Sequence, residues 1–512
     1  MAQKNTILGC LIILKFAIQI LAIDSGYELH RDEYLHLDLG KHLAWGYTSV
    51  PPVTAWISFL IIQFGNSAFS VKFFPALFGV LTMVVVWKIV EQLKGGIFAL
   101  ILASVSVIFS VLVRVNTLYQ PNSLEFLLWT LIFYFVIKYI NTESNKWIWI
   151  AAVTFAVGFL NKYNIVFLLL GLLPAILLTN HRKVFANKQL YFSFIAGLIL
   201  VSPNLIWQYE NGFPVIRHLN TLAETQLVNV RRLDFIIEQL KFFMGSWFVI
   251  ILALAAFFTY KPFRKFKLFF WSYFFTLFLY VFFKAKGYYA IGLYPVLLAF
   301  GSVYAEQLFS KGRLRYLRFP LIMIPVLSFL ALFQIVLPVL SPEQIVEKKE
   351  LFQKIGLLRW EDGKDHDLPQ DFADMLGWKE LANMVDSALM QIPDKENTLI
   401  HCDNYGQAGA INYYSKQICT DAVSMNADYI YWYPLEEMVI NNVILVKDSR
   451  DTDTQREFER PYFKEVTLVG EITNTYAREK GTTVYLLKGA TQSINKIMEE
   501  IIHSRMQNPN LN

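Results

Sequence analysis

Residues 68–90 read AFSVKFFPALFGVLTMVVVWKIV. Wound as a helix at ~1.5 Å per residue, this stretch is about 35 Å long, enough to cross the ~30 Å hydrocarbon core of a bilayer. Outward from it, runs of the same character lie near residues 6–23, 96–113, 123–140, 147–160, 164–179, 190–207, 242–260, 268–284, 288–308 and 319–338. The pair 147–160 and 164–179 is short and is broken by Asn161-Lys162-Tyr163-Asn164. Together the runs predict an α-helical polytopic membrane protein of about eleven spans. The first run is too long, and followed by too many others, to read as a cleaved signal peptide.

Composition agrees. Of 512 residues, 55% are hydrophobic and only 17% charged, the mean hydropathy is +0.39, and 43 residues are Phe. These figures exclude a disordered chain, a collagen-like repeat and a disulfide-dense secreted scaffold, and they argue against a cytosolic enzyme. The net charge of +5 hides a split. Residues 341–512 hold 28 Asp and Glu against 18 Lys and Arg, whereas the first 340 residues carry a net +15. The expected domains are therefore a basic, acid-poor membrane body, 1–340, and an acidic soluble domain, 341–512. The basic excess sits mostly in short loops between apolar runs, as membrane topology requires, and is no nucleic-acid signal.

Alternate connections gather the basic residues: Lys94, Lys138 with Lys146, His181-Arg182-Lys183, Lys261 to Lys267, and Lys311 to Arg318. The positive-inside bias makes that side cytoplasmic, together with the N-terminus. An odd number of spans then puts the C-terminal domain outside, with two long loops, 24–67 and about 209–241. The last domain reads as α/β. Trp378–Ile392 has helical periodicity, and 398–402, 442–446, 465–473 and 482–487 alternate like strands. Cys402 and Cys419 lie in it, as a permitted disulfide or as two reduced thiols.

The first outer loop carries Arg31-Asp32-Glu33-Tyr34-Leu35-His36, Gly40-Lys41-His42-Leu43-Ala44-Trp45-Gly46-Tyr47 and Pro51-Pro52. Adjacent carboxylates offer one group for proton abstraction and one to orient it or balance charge, or else a merely solvated pair. Glu125 is one of few acids inside an apolar run, and a bridge to Arg114 is its bland explanation. Lys162, Arg217, Arg231, Arg232, Lys284 and Lys286 stand on the outer side against the topology bias. A lipid phosphate would account for such cations, because Lys and Arg bind phosphate through charge-assisted hydrogen bonds. Interfacial anchoring is the alternative. Gly287, Tyr288 and Tyr289 beside Lys286 add close backbone approach and two phenol donors. His36, His42 and His218 show no metal-type spacing, and His42 beside Trp45 reads as packing. No Gly-rich nucleotide loop is present, which suits a lipid-linked donor.

The order Asp32-Glu33-Tyr34, Gly40 to Tyr47 and Pro51-Pro52-Val53-Thr54-Ala55-Trp56 resembles the first outer loop of type-C (GT-C) glycosyltransferases. The nearest groups are the protein O-mannosyltransferases, the aminoarabinose transferases of lipid A and related bacterial lipopolysaccharide sugar transferases. Further similarities follow in Tyr119 to Glu125, Gly158 to Tyr163, Ser202 to Pro214 and Lys286 to Pro295. The stretch Cys402-Asp403-Asn404-Tyr405-Gly406-Gln407-Ala408-Gly409-Ala410 to Tyr414 looks like the α/β tail of bacterial members.

The resemblance implies a multi-span enzyme of the bacterial inner membrane. Its donor would be a polyprenyl-phosphate sugar, its acceptor a glycan (lipopolysaccharide among them), lipid or protein outside the cytoplasm, and its outcome inversion with a hexose or pentose moved. Asp32 matches the family's catalytic carboxylate, with Glu33 orienting it or structural. Many members carry Asp where this chain has Asn122, so Glu125, one helical turn on, is the candidate to take over that role. Lys162, Tyr163, Arg217, Lys286, Tyr288 and Tyr289 are the donor-phosphate and lipid candidates. Tyr34, His42, Tyr47, Pro51, Pro52 and Asn122 are the acceptor-side or structural ones. Aminoarabinose transferases have Lys just before Pro-Pro where this chain has Val50, so phosphate binding must rest on other cations. The sequence establishes no cofactor and leaves a divalent metal open. Rival readings are a flippase of lipid-linked saccharides, which would show inverted repeats and mid-bilayer charges, and a non-catalytic scaffold. No repeat is present.

Overall fold

A computed structural model of the chain describes residues 2–21, 23, 26–225 and 230–507. Residues 24 and 25, where the first outer loop was set to begin, residues 226–229 of the next loop, and the tail beyond 507 lie outside the described residues.

Every apolar run is helical. Seven helices are long and apolar enough to cross a membrane: Ala2–Leu21, Ala68–Gln92, Pro121–Thr142, Lys188–Glu210, Lys261–Phe282, Gly287–Leu308 and Gly312–Val336. Two bent pairs, Ile165–Leu177 with Asn180–Ala186 and Arg232–Phe242 with Met244–Thr259, bring the count to nine among the described residues. Nine of the eleven expected runs thus pass by length and composition. Ile97–Ile108 and Lys146–Asn161, both counted as spans from sequence, are shorter apolar helices. The 97–108 helix ends early because Phe109 leaves helical geometry, and a separate turn, Leu112–Val115, follows.

The chain divides into two compact units. The first comprises Met1–Ser25, Ala44–Thr54 and Phe64–Val339. Its core is aromatic and aliphatic, with Trp87, Trp129, Tyr294 and Phe300 at most 1% exposed. Outward-facing Phe, Ile and Leu on Lys188–Glu210 and Gly312–Val336 remain exposed, as lipid-facing side chains should.

The second unit comprises Gly26–Leu43, Ala55–Gln63 and Leu340–Asn512. It is thus assembled from three pieces of chain, two of them from the loop that the sequence assigned to the membrane body. Its sheet has five strands: β1 (Thr398–Cys402), β2 (Val423–Ser424), β3 (Asn442–Lys447), β4 (Phe463–Glu471) and β5 (Thr483–Ala490). The order is β2-β1-β3-β5-β4, with β2, β1 and β3 parallel and β3, β5 and β4 antiparallel. Register places Leu399, Val443 and Leu487 abreast on one face, where they join Ile494 and Met498 of the helix Ile494–Gln507. Ile400, Ile444 and Leu486, also abreast and buried, point to the opposite face. The helices Trp378–Leu389 and Tyr405–Tyr414 lie along the sheet and touch each other. Cys10, Cys402 and Cys419 are all free thiols.

Candidate functional site

The adjacent carboxylates fall on the first turn of a helix, Arg31–Leu39, in the second unit. His30 is its N-cap: the His30 Nδ1 accepts from the Asp32 backbone N–H at 3.2 Å, and the Glu33 carboxylate accepts from the His30 backbone N–H at 2.7 Å. This is a capping box with histidine in the place of serine or threonine. Glu33 is fully buried in that role, while Asp32 keeps 38% of its side chain exposed. Two acids at a helix N-terminus also meet the positive end of the backbone dipole, worth roughly 0.3–1 kcal/mol each.

Residues from the far end of the chain complete the environment. The Tyr405 hydroxyl donates to Asp32 Oδ1 at 2.8 Å. The Arg31 guanidinium stacks over the Tyr405 ring, 4.4 Å from its centroid. His30 Nε2 lies 3.8 Å from Asp374, which Arg478 holds through contacts of 3.0 and 3.1 Å. The segment before the Trp378–Leu389 helix clamps the loop backbone, with Glu28 N–H donating to Met375 O and Arg31 N–H to Asp374 O. The Glu28 carboxylate in turn accepts from the Trp378 backbone N–H at 2.7 Å.

The electrostatics keep Asp32 ionised. Burial of its surroundings works to raise its pKa, but His30, His36, the Tyr405 hydrogen bond and Arg31 outweigh this and hold it below the usual carboxylate range. Burial and the neighbouring Asp32 charge push the Tyr405 phenol far up, so it stays protonated and is the donor in its bond to Asp32. Asp38, at the other end of the helix, is buried and has its pKa raised, chiefly by burial. It accepts from Tyr429 and Asn412, each at 2.7 Å, and pairs with Lys41 at 3.2 Å. An ionised, partly exposed carboxylate can accept a proton from a hydroxyl.

A second cluster forms inside the first unit. Glu125, 1% exposed, accepts from Asn164 Nδ2 and lies 3.2 Å from the Lys162 ammonium. Lys162 also donates to Asn122 Oδ1 at 2.6 Å and sits 5.2 and 4.7 Å from the ring centroids of Tyr288 and Tyr289. Five residues named separately from sequence thus meet at one point. Lys162, 19% exposed, is the partner of Glu125; Arg114 reaches Thr117 instead. The helix Lys146–Asn161 stops at the very residues that supply the cluster, with Lys162 in extended geometry. Tyr163 leaves the cluster and bonds Asn204 and Gln208.

Other expected site residues stand elsewhere. Arg217 is exposed and donates to the Asn211 carbonyl of its own turn, and Arg231 forks onto Asp234. Lys286 caps the 3₁₀ turn Gly287–Leu293 and acts on His218, whose pKa is lowered first by burial and then by that charge. Tyr34 is a core residue at 0% exposure, ringed by Trp378, Tyr413 and Tyr414. Tyr47 is buried and accepts from the Ala44 N–H at 2.8 Å, and Pro51 and Pro52 are buried beside it in sequence. His42 packs as expected but on a different ring: it stacks on Trp432 at 4.2 Å, not on Trp45. No group of three or more His, Cys, Asp or Glu is arranged to hold a metal ion among the described residues.

Sequence reasoning missed His30, Asp38 and Tyr405. The Asn404-x-x-Gln407 capping box was a visible signal for the helix Tyr405–Tyr414, but nothing local tells which residue 373 positions away its tyrosine meets.

Comparison with known proteins gives this geometry a context. Residues 49–207 match the family described as dolichyl-phosphate-mannose-protein mannosyltransferase, just under a third of the chain. No curated protein matches the chain in a sequence search. Among solved structures, ArnT from Cupriavidus metallidurans bound to undecaprenyl phosphate is similar, with a TM-score of 0.61 at 11% identity over 97% of this chain and 99% of that one. ArnT from the same organism in the apo state gives a TM-score of 0.62 at 11% identity over 95% and 98%. At such identity the likeness is one of fold, and it runs the length of both chains. The chain therefore has the fold of the ArnT structures, an apolar helical body with a C-terminal sheet domain, and within it residues 49–207 match the mannosyltransferase family.

Proposed function

We propose that the chain transfers a sugar from a polyprenyl-phosphate donor to an acceptor hydroxyl on the outer face of a bacterial inner membrane, with inversion, and that Asp32 is the general base. The observation that carries this reading is the Asp32 carboxylate: ionised, partly exposed and fixed at the N-terminus of a capped helix whose other acids are buried. Attack at an anomeric carbon requires the acceptor hydroxyl to lose its proton as the bond forms. A positioned base contributes typically ~10²–10⁴-fold to such a step. The leaving group is a lipid phosphate, and the similar ArnT structure holds undecaprenyl phosphate.

The Lys162 cluster is the candidate donor-phosphate site. Two of the three ammonium donors are directed at Glu125 and Asn122, which leaves one for a phosphate oxygen, with the Tyr288 and Tyr289 faces stabilising the charge. Asn122 in place of the family's usual acid supports this assignment, since a second carboxylate beside Glu125 would leave the cluster net negative and repel a phosphate. The basic loops support a topology with the N-terminus in the cytoplasm and the C-terminal domain in the periplasm. The acceptor class remains a glycan, a lipid or a protein.

The test is transfer of radiolabel from polyprenyl-phosphate sugars in membranes, wild type against Asp32→Asn. Turnover should fall by about 10²–10⁴-fold while the protein still accumulates. Near-wild-type transfer by the variant would remove Asp32 from the mechanism.

A further inference from the structure

We infer that Tyr405 is a positioning residue for the Asp32 carboxylate, and that the Asn404–Gly409 segment is a seat built for the base-bearing helix. The inference rests on the reading of Asp32 as base.

Five of the six residues of the segment have a task. Asn404 caps the helix Tyr405–Tyr414, accepting from the Gly406 and Gln407 N–H groups, and Gln407 closes the capping box. Both side chains are tied to Glu479, Gln407 at 2.7 Å, so the cap is fixed from behind by the turn before β5. Gly406 and Gly409, one helical turn apart, are where the Arg31–Leu39 helix lands. A Cβ on Gly406 would come within 2.6 Å of Arg31 Cγ, and one on Gly409 within 2.7 Å of Tyr34 Cβ. Tyr405 is then set, by its first-turn place in a capped helix, to reach Asp32 Oδ1.

Docking alone does not call for that last bond. The helix is held at its far end by Asp38 on Tyr429 and Asn412, and along its middle by Tyr34 on Gly409. The Tyr405 hydroxyl is the donor that falls on the reacting group. The bond to Oδ1 restrains the orientation of the carboxylate. Arg31 stacked on the ring holds the phenol in place without competing for the oxygen.

Two variants and two readouts on the full-length protein test this. Tyr405→Phe keeps the ring and its stack with Arg31 and removes only the donor. Difluorotyrosine at position 405 keeps the shape and donates more strongly. The first readout is an infrared pH titration of isotope-labelled aspartate, with the Asp32 band identified by its loss in Asp32→Asn. Because the bond favours the ionised form, Tyr405→Phe should move the Asp32 titration to higher pH and difluorotyrosine to lower pH. The second readout is transfer from undecaprenyl-phosphate mannose and undecaprenyl-phosphate aminoarabinose. With whichever is used, Tyr405→Phe should lower kcat by roughly 10-fold or more, the scale of a lost charged hydrogen bond, with donor and acceptor KM little changed. A titration that neither variant moves overturns the inference, and so does wild-type kcat in Tyr405→Phe when Asp32→Asn is inactive. An active Asp32→Asn would instead sink the base assignment, and the positioning role with it, whatever the titration shows.

Discussion

Lys162 illustrates how a single residue is constrained from several sides. Its ammonium balances the buried Glu125 carboxylate, so a plain Lys162→Ala variant would strand a charge in the first unit's interior. Breaking a buried pair in this way costs about 3–5 kcal/mol, enough to unfold many proteins. Loss of activity in that variant alone would say nothing about phosphate. The pair Lys162→Met with Glu125→Gln removes both charges and keeps the volumes. We expect this double variant to accumulate in membranes and melt near wild type. Its donor KM should rise by about 10- to 150-fold, the range for one charged hydrogen bond to phosphate. Acceptor KM should change far less. An unchanged donor KM would make the cluster a structural ion pair.

At the level of elements, the contact between the Arg31–Leu39 and Tyr405–Tyr414 helices turns on a missing side chain. Gly409→Ala would gain about 1 kcal/mol of helix propensity. Its new methyl would also meet the Tyr429 hydroxyl at 2.6 Å and Tyr34 Cβ at 2.7 Å. Neither neighbour is a flexible chain end, since Tyr34 is in the core and Tyr429 is held by Asp38. Overpacking of about 1–3 kcal/mol should therefore win, and the melting temperature should fall. A rise would show that the two helices can part without cost. These elements also mark the limit of sequence reading. Strands β1, β3, β4 and β5 and the helix at Trp378 were legible, because alternation and 3.6-residue periodicity are local. The two-residue β2 was not, since Val423–Ser424 is too short to carry a period. The Arg31–Leu39 helix was hidden for another reason: seven of its nine residues are buried, charged ones included, so it shows no polar face. The acids themselves were legible; the capping box that buries Glu33 was not, because a histidine cap is an unusual signal for a helix start.

For the molecule as a whole, the basic loops predict an active alkaline phosphatase and a dark green fluorescent protein when each is fused to the C-terminus in a bacterial host. The reverse pattern would overturn the siting of Asp32 outside the cytoplasm. Most of the long apolar helices were plain in hydropathy. What hydropathy could not reveal is that 26–43 and 55–63 belong with 340–512, since such a partnership depends on contacts across more than 300 residues. That discontinuity has a consequence for biogenesis. The ribosome delivers the Asp32 helix early, yet Tyr405, Tyr429, Asp374 and Arg478, which give the helix its setting, are made hundreds of residues later. At ~5–20 residues per second, the interval from Leu39 to the end of β5 at Ala490 is roughly 20–90 s. During that time the helix that bears Asp32 lacks the residues that surround it in the folded unit. The last-made domain thereby acts as a clock for the setting of Asp32, which a chain cut short in synthesis never acquires.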